Sequence, residues 1–335
     1  MSWWRRLRAH PRAKAVARWL IGIGVLLLLL AGFDGAAVWS RLSTSNLALA
    51  SIGIVGLTAA HLLAAATWRA ICGLTAGVHL PWRATLRWYY AGQALGGVTP
   101  GNLGGDVYRI HALRTGGHAF SASVAPVVIQ RATSYLALAC LGGVALIALA
   151  SSSHVAMSIV VPAAAVCVLG IVVAAALLVP PGRLAGVQRR LVRLIDGRAA
   201  DERSGSRETP GLAAASMVGF VLGLAFHLGC ILLTYVLVLA VDPLPFSLAT
   251  VGAVAVARLS LAVPISPSGL GFQEGALSVL FVGIGLAPEV ALAALLLARV
   301  SLVFTTLIGV AALALGRPEA DRPADAWNAK QPGSA

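Results

Sequence analysis

The chain has 335 residues, 59% of them hydrophobic and only 11% charged, with mean hydropathy +0.87. A water-soluble domain carries about 25% charged residues, so this composition excludes one and indicates an integral membrane protein. The net charge of +13 does not indicate nucleic acid: Arg5, Arg6, Arg8, Arg12, Lys14 and Arg18 precede or open the first apolar run, and seven more Arg lie between Arg183 and Arg207, the flanks and loops where basic residues orient membrane proteins.

In chain order, residues 1–15 read as a basic cytoplasmic N-terminus. The first apolar run continues to about Val38 with no A-x-A site after it, so it reads as a retained span and not a secretion signal. Runs at 19–31, 47–66, 155–179, 212–241 and 290–315 approach or exceed the ~20 residues that cross a bilayer as a helix. None alternates as a barrel strand does. The expected architecture is an all-α polytopic membrane protein with about six full transmembrane helices, at 16–38, 47–67, 120–150, 154–179, 211–241 and 289–316. The membrane domain spans 16–316, in halves 16–150 and 154–316 joined by an Arg-rich cytoplasmic loop at 180–210. The polar, Pro-containing tail 317–335 is expected to be disordered.

Two inserts interrupt this plan, at 84–115 and 247–287. Each is apolar but broken near its middle by Pro and Gly, leaving halves of ~11–18 residues, too short to cross. They read as re-entrant helical hairpins, whose irregular backbone is tolerated at membrane depth only under a cover of protein or in a wet cavity. The distribution of Arg agrees. Arg69, Arg83, Arg87 and the 180–210 segment fall on the side of the N-terminus, whereas "SSSH" at 151–154 has no Lys or Arg. Both termini are then cytoplasmic.

The breaks themselves match. Thr99-Pro100-Gly101-Asn102-Leu103-Gly104 parallels Ser266-Pro267-Ser268-Gly269-Leu270-Gly271. An acid follows each, Asp106 and Glu274. Three full spans separate the inserts, an odd number, so the second faces the opposite way, as in an inverted repeat with a substrate site near the midplane. A Pro/Gly break frees backbone N–H groups at the start of the next half-helix, and such an end attracts anions. The competing reading is that Gly and Pro serve tight helix packing.

Asp106, Arg109, Arg131, Arg258, Glu274 and Arg299 lie at membrane depth. Unpaired, six such charges would cost about 15–20 kcal/mol on insertion scales, so they should face inward and pair. Asp106 and Arg109 are spaced i, i+3 and can pair locally; Arg258 and Arg299 are the candidate partners of Glu274. Four Arg against two acids leave two positive charges, which an anionic ligand would balance, and guanidinium suits phosphate. His111, His118 and His227 could relay protons or contact a headgroup, but the favoured reading of each is a packed or interfacial residue. Cys72, Cys140, Cys167 and Cys230 are scattered without metal-ligand spacing, so neither metal nor cofactor is expected.

The stretches "GGVTPGNLGGDVYRIHALR" and "PISPSGLGFQEGAL" resemble the membrane domain of lysylphosphatidylglycerol synthase/flippase proteins over about residues 15–316. The resemblance implies a polytopic protein of the bacterial inner membrane that moves a lipid between leaflets. By motif it marks Pro100, Gly101, Asn102, Gly104, Gly105, Asp106 and Arg109, then Pro267, Gly269, Gly271 and Glu274. Arg131 matches a charged position of the next helix, with Gln130 standing where an acid is frequent. Two-part members carry a soluble aminoacyl-transferring domain, which the short polar tail does not match, so lysyl transfer gains no support. Relatives act on glycolipids, isoprenoid-linked sugars and hopanoids, which widens the choice of cargo.

The expected function is a flippase-like transporter of an anionic lipid or lipid-linked intermediate, not an enzyme, with Arg258 and Arg299 joining Arg131 around the headgroup. Lipids with an anionic headgroup are the expected partners, and a second copy or a biosynthetic partner is compatible with GxxxG spacings such as Gly219/Gly223. Two alternatives compete. In a membrane-embedded transferase Asp106 and Glu274 would be the acid/base pair, but no metal pair, P-loop or GxSxG elbow appears. A non-catalytic scaffold explains the spans but not the buried charges.

Overall fold

Short polar signals set the helix ends. A computed structural model describes residues 24, 34–97, 99, 102–150, 157–178, 211–243, 245–262 and 269–315. Asp34 caps α1 (Gly35–Ser43) by accepting from the Ala36 N–H at 2.9 Å. Asn46 caps α2 (Leu47–Ala76) by accepting from the Ala48 and Leu49 N–H groups at 3.0 and 3.1 Å, and Gly77 ends it at φ 62°. Then come α3 (Trp82–Gly97), α4 (Leu103–Thr115), α5 (Phe120–Ala150) and α6 (Met157–Leu178). Next are α7 (Leu212–Val241), α8 (Leu248–Arg258) with a 3-10 turn at Leu259–Ala262, α9 (Phe272–Gly283) and α10 (Pro288–Leu315). No strand occurs among the described residues.

Four helices, α2, α5, α7 and α10, are long and apolar enough to cross a membrane. They coincide with four of the six expected spans; the expected 154–179 span coincides with the 22-residue α6. Most of 16–38, the 180–210 segment and the 317–335 tail lie outside the described residues. One boundary differs clearly. The second span was expected to end at 67, yet α2 continues to Ala76. Arg69 does not stop it, because its Nε donates to the Leu80 carbonyl at 2.6 Å and its guanidinium lies 5.0 Å from the Trp82 ring. Large apolar side chains face outward, among them Val55, Ile147, Val221 and Val303, as they do where lipid is the solvent.

The chain folds as two equivalent units, α2–α5 and α7–α10, each long helix, short helix, short helix, long helix. The packing obeys the equivalence. Helix α3 packs on α10 as α8 packs on α5; α4 packs on α5 as α9 packs on α10; α6 covers α5 as α1 covers α10. The equivalent helices α2 and α7 cross each other antiparallel. The Asn46 N–H donates to the Ala240 carbonyl at 2.8 Å, Gly53 and Gly56 give room to Leu237 and Leu233, the His61 ring lies tilted 6.0 Å from that of Phe226, and Leu74 meets Gly211. Ascending residues of one helix meet descending residues of the other, so the second unit runs opposite to the first. His61 and His227, 166 residues apart, occupy equivalent positions at the middle of this crossing.

The two inserts coincide with pairs of short helices, α3 with α4 and α8 with α9. The arms α3 and α4 touch backbone to backbone: a Cβ on Gly105 would lie 2.5 Å from the Gly92 carbonyl oxygen. The ends of the bundle differ in charge. Arg69, Arg83, Arg87 and Arg114 gather where α2 ends and α3 begins. At the opposite end Arg41 pairs with Asp242 at 2.9 Å, near the level of Glu289 at the start of α10.

Candidate functional site

The first constellation forms where α4 leaves its break. Asp106, in the first turns of α4, is 8% exposed. Its Oδ1 lies 2.6 Å from Arg109 Nη2 and its Oδ2 2.6 Å from Arg131 Nε, so one carboxylate holds two guanidiniums from two helices. Arg131, on α5, also donates to Tyr135 Oη at 2.8 Å and to the Asn102 carbonyl at 3.1 Å. Arg109 donates to Gln130 Oε1 at 2.6 Å, and Gln130 Nε2 donates to the Ala64 carbonyl of α2 at 2.8 Å. The guanidinium carbon of Arg109 lies 5.5 Å from the Trp68 ring and 5.6 Å from the Tyr89 ring, close enough for cation–π attraction.

This cluster continues to the helix crossing. Asn102 adopts φ 58°, unusual for a non-glycine residue, and its Nδ2 donates to Gln93 Oε1 at 3.0 Å. Gln93 Nε2 donates to Tyr89 Oη at 2.7 Å and lies 3.3 Å from His61 Nδ1.

The second unit repeats the plan. Glu274, in the first turn of α9, is fully buried, and its Oε1 lies 2.6 Å from Arg299 Nη2 on α10. The Asp106–Arg131 and Glu274–Arg299 pairs each span 25 residues, and equivalent members are 168 residues apart. At the crossing His227 stands for His61 and Arg258 for Gln93: Arg258 Nε lies 3.5 Å from His227 Nδ1, and His227 Nε2 lies 2.9 Å from Ser134 Oγ on α5. The Arg258 guanidinium also lies 5.9 Å from the Phe226 ring.

A family profile described as the lysylphosphatidylglycerol synthase TM region matches residues 15–309, which include nearly all of both four-helix units. The chain belongs to that family. Membership places it among membrane proteins of lipid biosynthesis or flipping, and with the apolar helices makes it a multi-pass membrane protein. No curated protein matches the chain.

For this family member, several of the sequence-derived positions come together. Asn102, Asp106, Arg109 and Arg131 form one cluster, and Gly271, Glu274 and Arg299 form another. Of the two partners considered for Glu274, the structure selects Arg299. Arg258 joins neither carboxylate and sits with His227 instead. Gly104 and Gly105 serve close packing: a Cβ on Gly104 would lie 2.7 Å from the Leu95 carbonyl oxygen. Gly269, at φ 69°, turns the chain into α9. Pro100, Gly101 and Pro267 lie outside the described residues.

Two N–H groups freed by the breaks are satisfied inside the protein. Gly104 N–H donates to Thr99 Oγ1 at 2.8 Å and Gly271 N–H to Glu274 Oε2 at 2.9 Å. Among the described residues no three His, Cys, Asp or Glu side chains gather as metal ligands. Sequence reasoning missed His61, Tyr89, Gln93, Ser134 and Tyr135. The signal was available for His61, a lone His mid-span whose distance to His227 nearly equals the Asp106–Glu274 offset.

Proposed function

We propose that the protein moves an anionic lipid, or a lipid-linked intermediate, between the leaflets of the bacterial inner membrane. One observation carries this reading. A buried cluster holding more guanidinium than carboxylate sits where two broken elements of opposite direction approach the crossing of α2 and α7. Transporters with inverted repeats bind their cargo at such a place. The headgroup phosphate would meet Arg131 and Arg258 while the acyl chains stay in lipid, and re-entrant arms would carry the site to the midplane. The basic end at Arg69, Arg83, Arg87 and Arg114 faces the cytoplasm on this reading, which puts both termini there. An acid/base role for Asp106 and Glu274 is disfavoured because both carboxylates are already engaged by arginines.

The test is leaflet exchange of a fluorescent anionic lipid in liposomes containing the purified protein. Wild type should accelerate exchange over empty liposomes, and Arg131→Ala should reduce it by about tenfold or more while the variant still elutes as a folded protein. Exchange at the wild-type rate in Arg131→Ala removes the mechanism.

A further inference from the structure

We infer that the anion bound between α5 and α8 is a dianion, a phosphomonoester or pyrophosphate group and not a phosphodiester. The inference rests on the transport reading above and adds the charge class of the cargo. It comes from how the surplus charge is divided. Asp106 holds Arg109 and Arg131, which leaves that cluster at plus one. Glu274 and Arg299 neutralise each other. Arg258 has no carboxylate within 4.0 Å among the described residues and adds a second plus one. Of the other acids among the described residues, Asp34, Asp242 and Glu289 stand at helix ends.

The two surplus charges are joined through one strip of side chains. Ser134 follows Arg131 by three residues, on the same face of α5, and contacts His227, which contacts Arg258. An arginine can only donate, so His227 Nδ1 must accept from Arg258 and its Nε2–H donates to Ser134 Oγ. His227 is therefore neutral and balances nothing. Gln130 and Gln93, the polar neighbours of the cluster, are neutral as well. Arg258 ends α8 next to Leu259, which packs on Gly142 of α5, and its guanidinium reaches His227, whose other ring nitrogen contacts Ser134. A phosphodiester would neutralise one of these cations and leave the other buried; a group with two charges neutralises both.

The experiment measures binding to the full-length protein in phosphatidylcholine nanodiscs, with phosphatidic acid and phosphatidylglycerol as probes. At about pH 8 a phosphomonoester carries its second charge. Phosphatidic acid should then bind about tenfold more tightly than phosphatidylglycerol. Arg258→Gln should bring phosphatidic acid down to the level of phosphatidylglycerol, and Arg258→Lys should keep most of the difference. Equal affinity for the two lipids in the wild type overturns the inference, as does an undiminished preference in Arg258→Gln. The wild-type comparison decides even where the Gln variant does not fold. A separate result tests the underlying reading: if neither anionic lipid binds better than phosphatidylcholine, the transport proposal falls with it. Soluble pyrophosphate that displaces phosphatidic acid equally well upholds the dianion while removing the lipid as its source.

Discussion

Asp106 differs from an ordinary surface carboxylate in what its loss would strand. With 11% of its side chain exposed, it holds two arginines whose side chains are 9% and 20% exposed. Breaking a buried pair by removing one partner costs about 3–5 kcal/mol, because the survivor keeps its desolvation penalty. Asp106→Asn should therefore lower stability by about that amount, measured by thermal unfolding in detergent. Asp106→Asn combined with Arg131→Met should recover much of the loss, since one stranded cation is then gone. A double variant no more stable than Asp106→Asn would show that the pair is not coupled. The local part of this cluster was legible in the sequence, because Asp106 and Arg109 stand i, i+3. The choice between Arg258 and Arg299 for Glu274 was not, since both sit on other helices. The repeat does decide it: the first pair spans 25 residues, and so does Glu274–Arg299.

The broken elements depend on glycine at the level of backbone contact. A Cβ on Gly105 would meet the Gly92 carbonyl oxygen at 2.5 Å, and no side chain can swing aside to relieve it. Gly105→Ala should separate α3 from α4 and cost about 1–3 kcal/mol, with leaflet exchange falling as Asn102 and Asp106 shift. Gly143→Ala is the matched control: nothing lies within 4 Å of its added Cβ, so melting temperature and exchange should not fall. If both variants melt alike, close approach at Gly105 does not hold the hairpin together. The two breaks were legible because Pro and Gly interrupt apolar runs too short to cross. The job of each glycine was not. The same Gly-rich string reads equally as an anion cradle or as a packing surface until the opposing carbonyls of Gly92 and Leu95 are seen. The extent of α2 was hidden for a related reason: hydropathy marks where lipid contact ends, whereas Gly77 marks where the helix ends.

At the scale of the whole molecule, the two units share a contact plan, and the contacts among the described residues around their ion pairs differ. Asn102, Gln130 and Tyr135 ring the first ion pair, whereas Glu274 binds Arg299 and its own helix cap. On the transport proposal, because the units run in opposite directions, exchanging their packing would turn the molecule from one face of the membrane to the other. The contacts that must change are those between units, above all α3 on α10. There Gly97 faces Thr306, with 3.9 Å between an ideal Cβ and Oγ1, and Gly309 fits under the Tyr90 carbonyl. Cysteines at Gly97 and Thr306, in a background with Cys72, Cys140, Cys167 and Cys230 replaced by Ala, should cross-link under oxidation or with a short bifunctional thiol reagent. Neither position belongs to the charged cluster, so the uncross-linked double variant should exchange lipid near the rate of its background. Cross-linking should then suppress exchange, and reduction of the disulfide should restore it, because the bond holds the two units in a single packing. Exchange that continues unchanged in fully cross-linked protein would mean that α3 and α10 move as one body, and the rearrangement would have to lie between other elements.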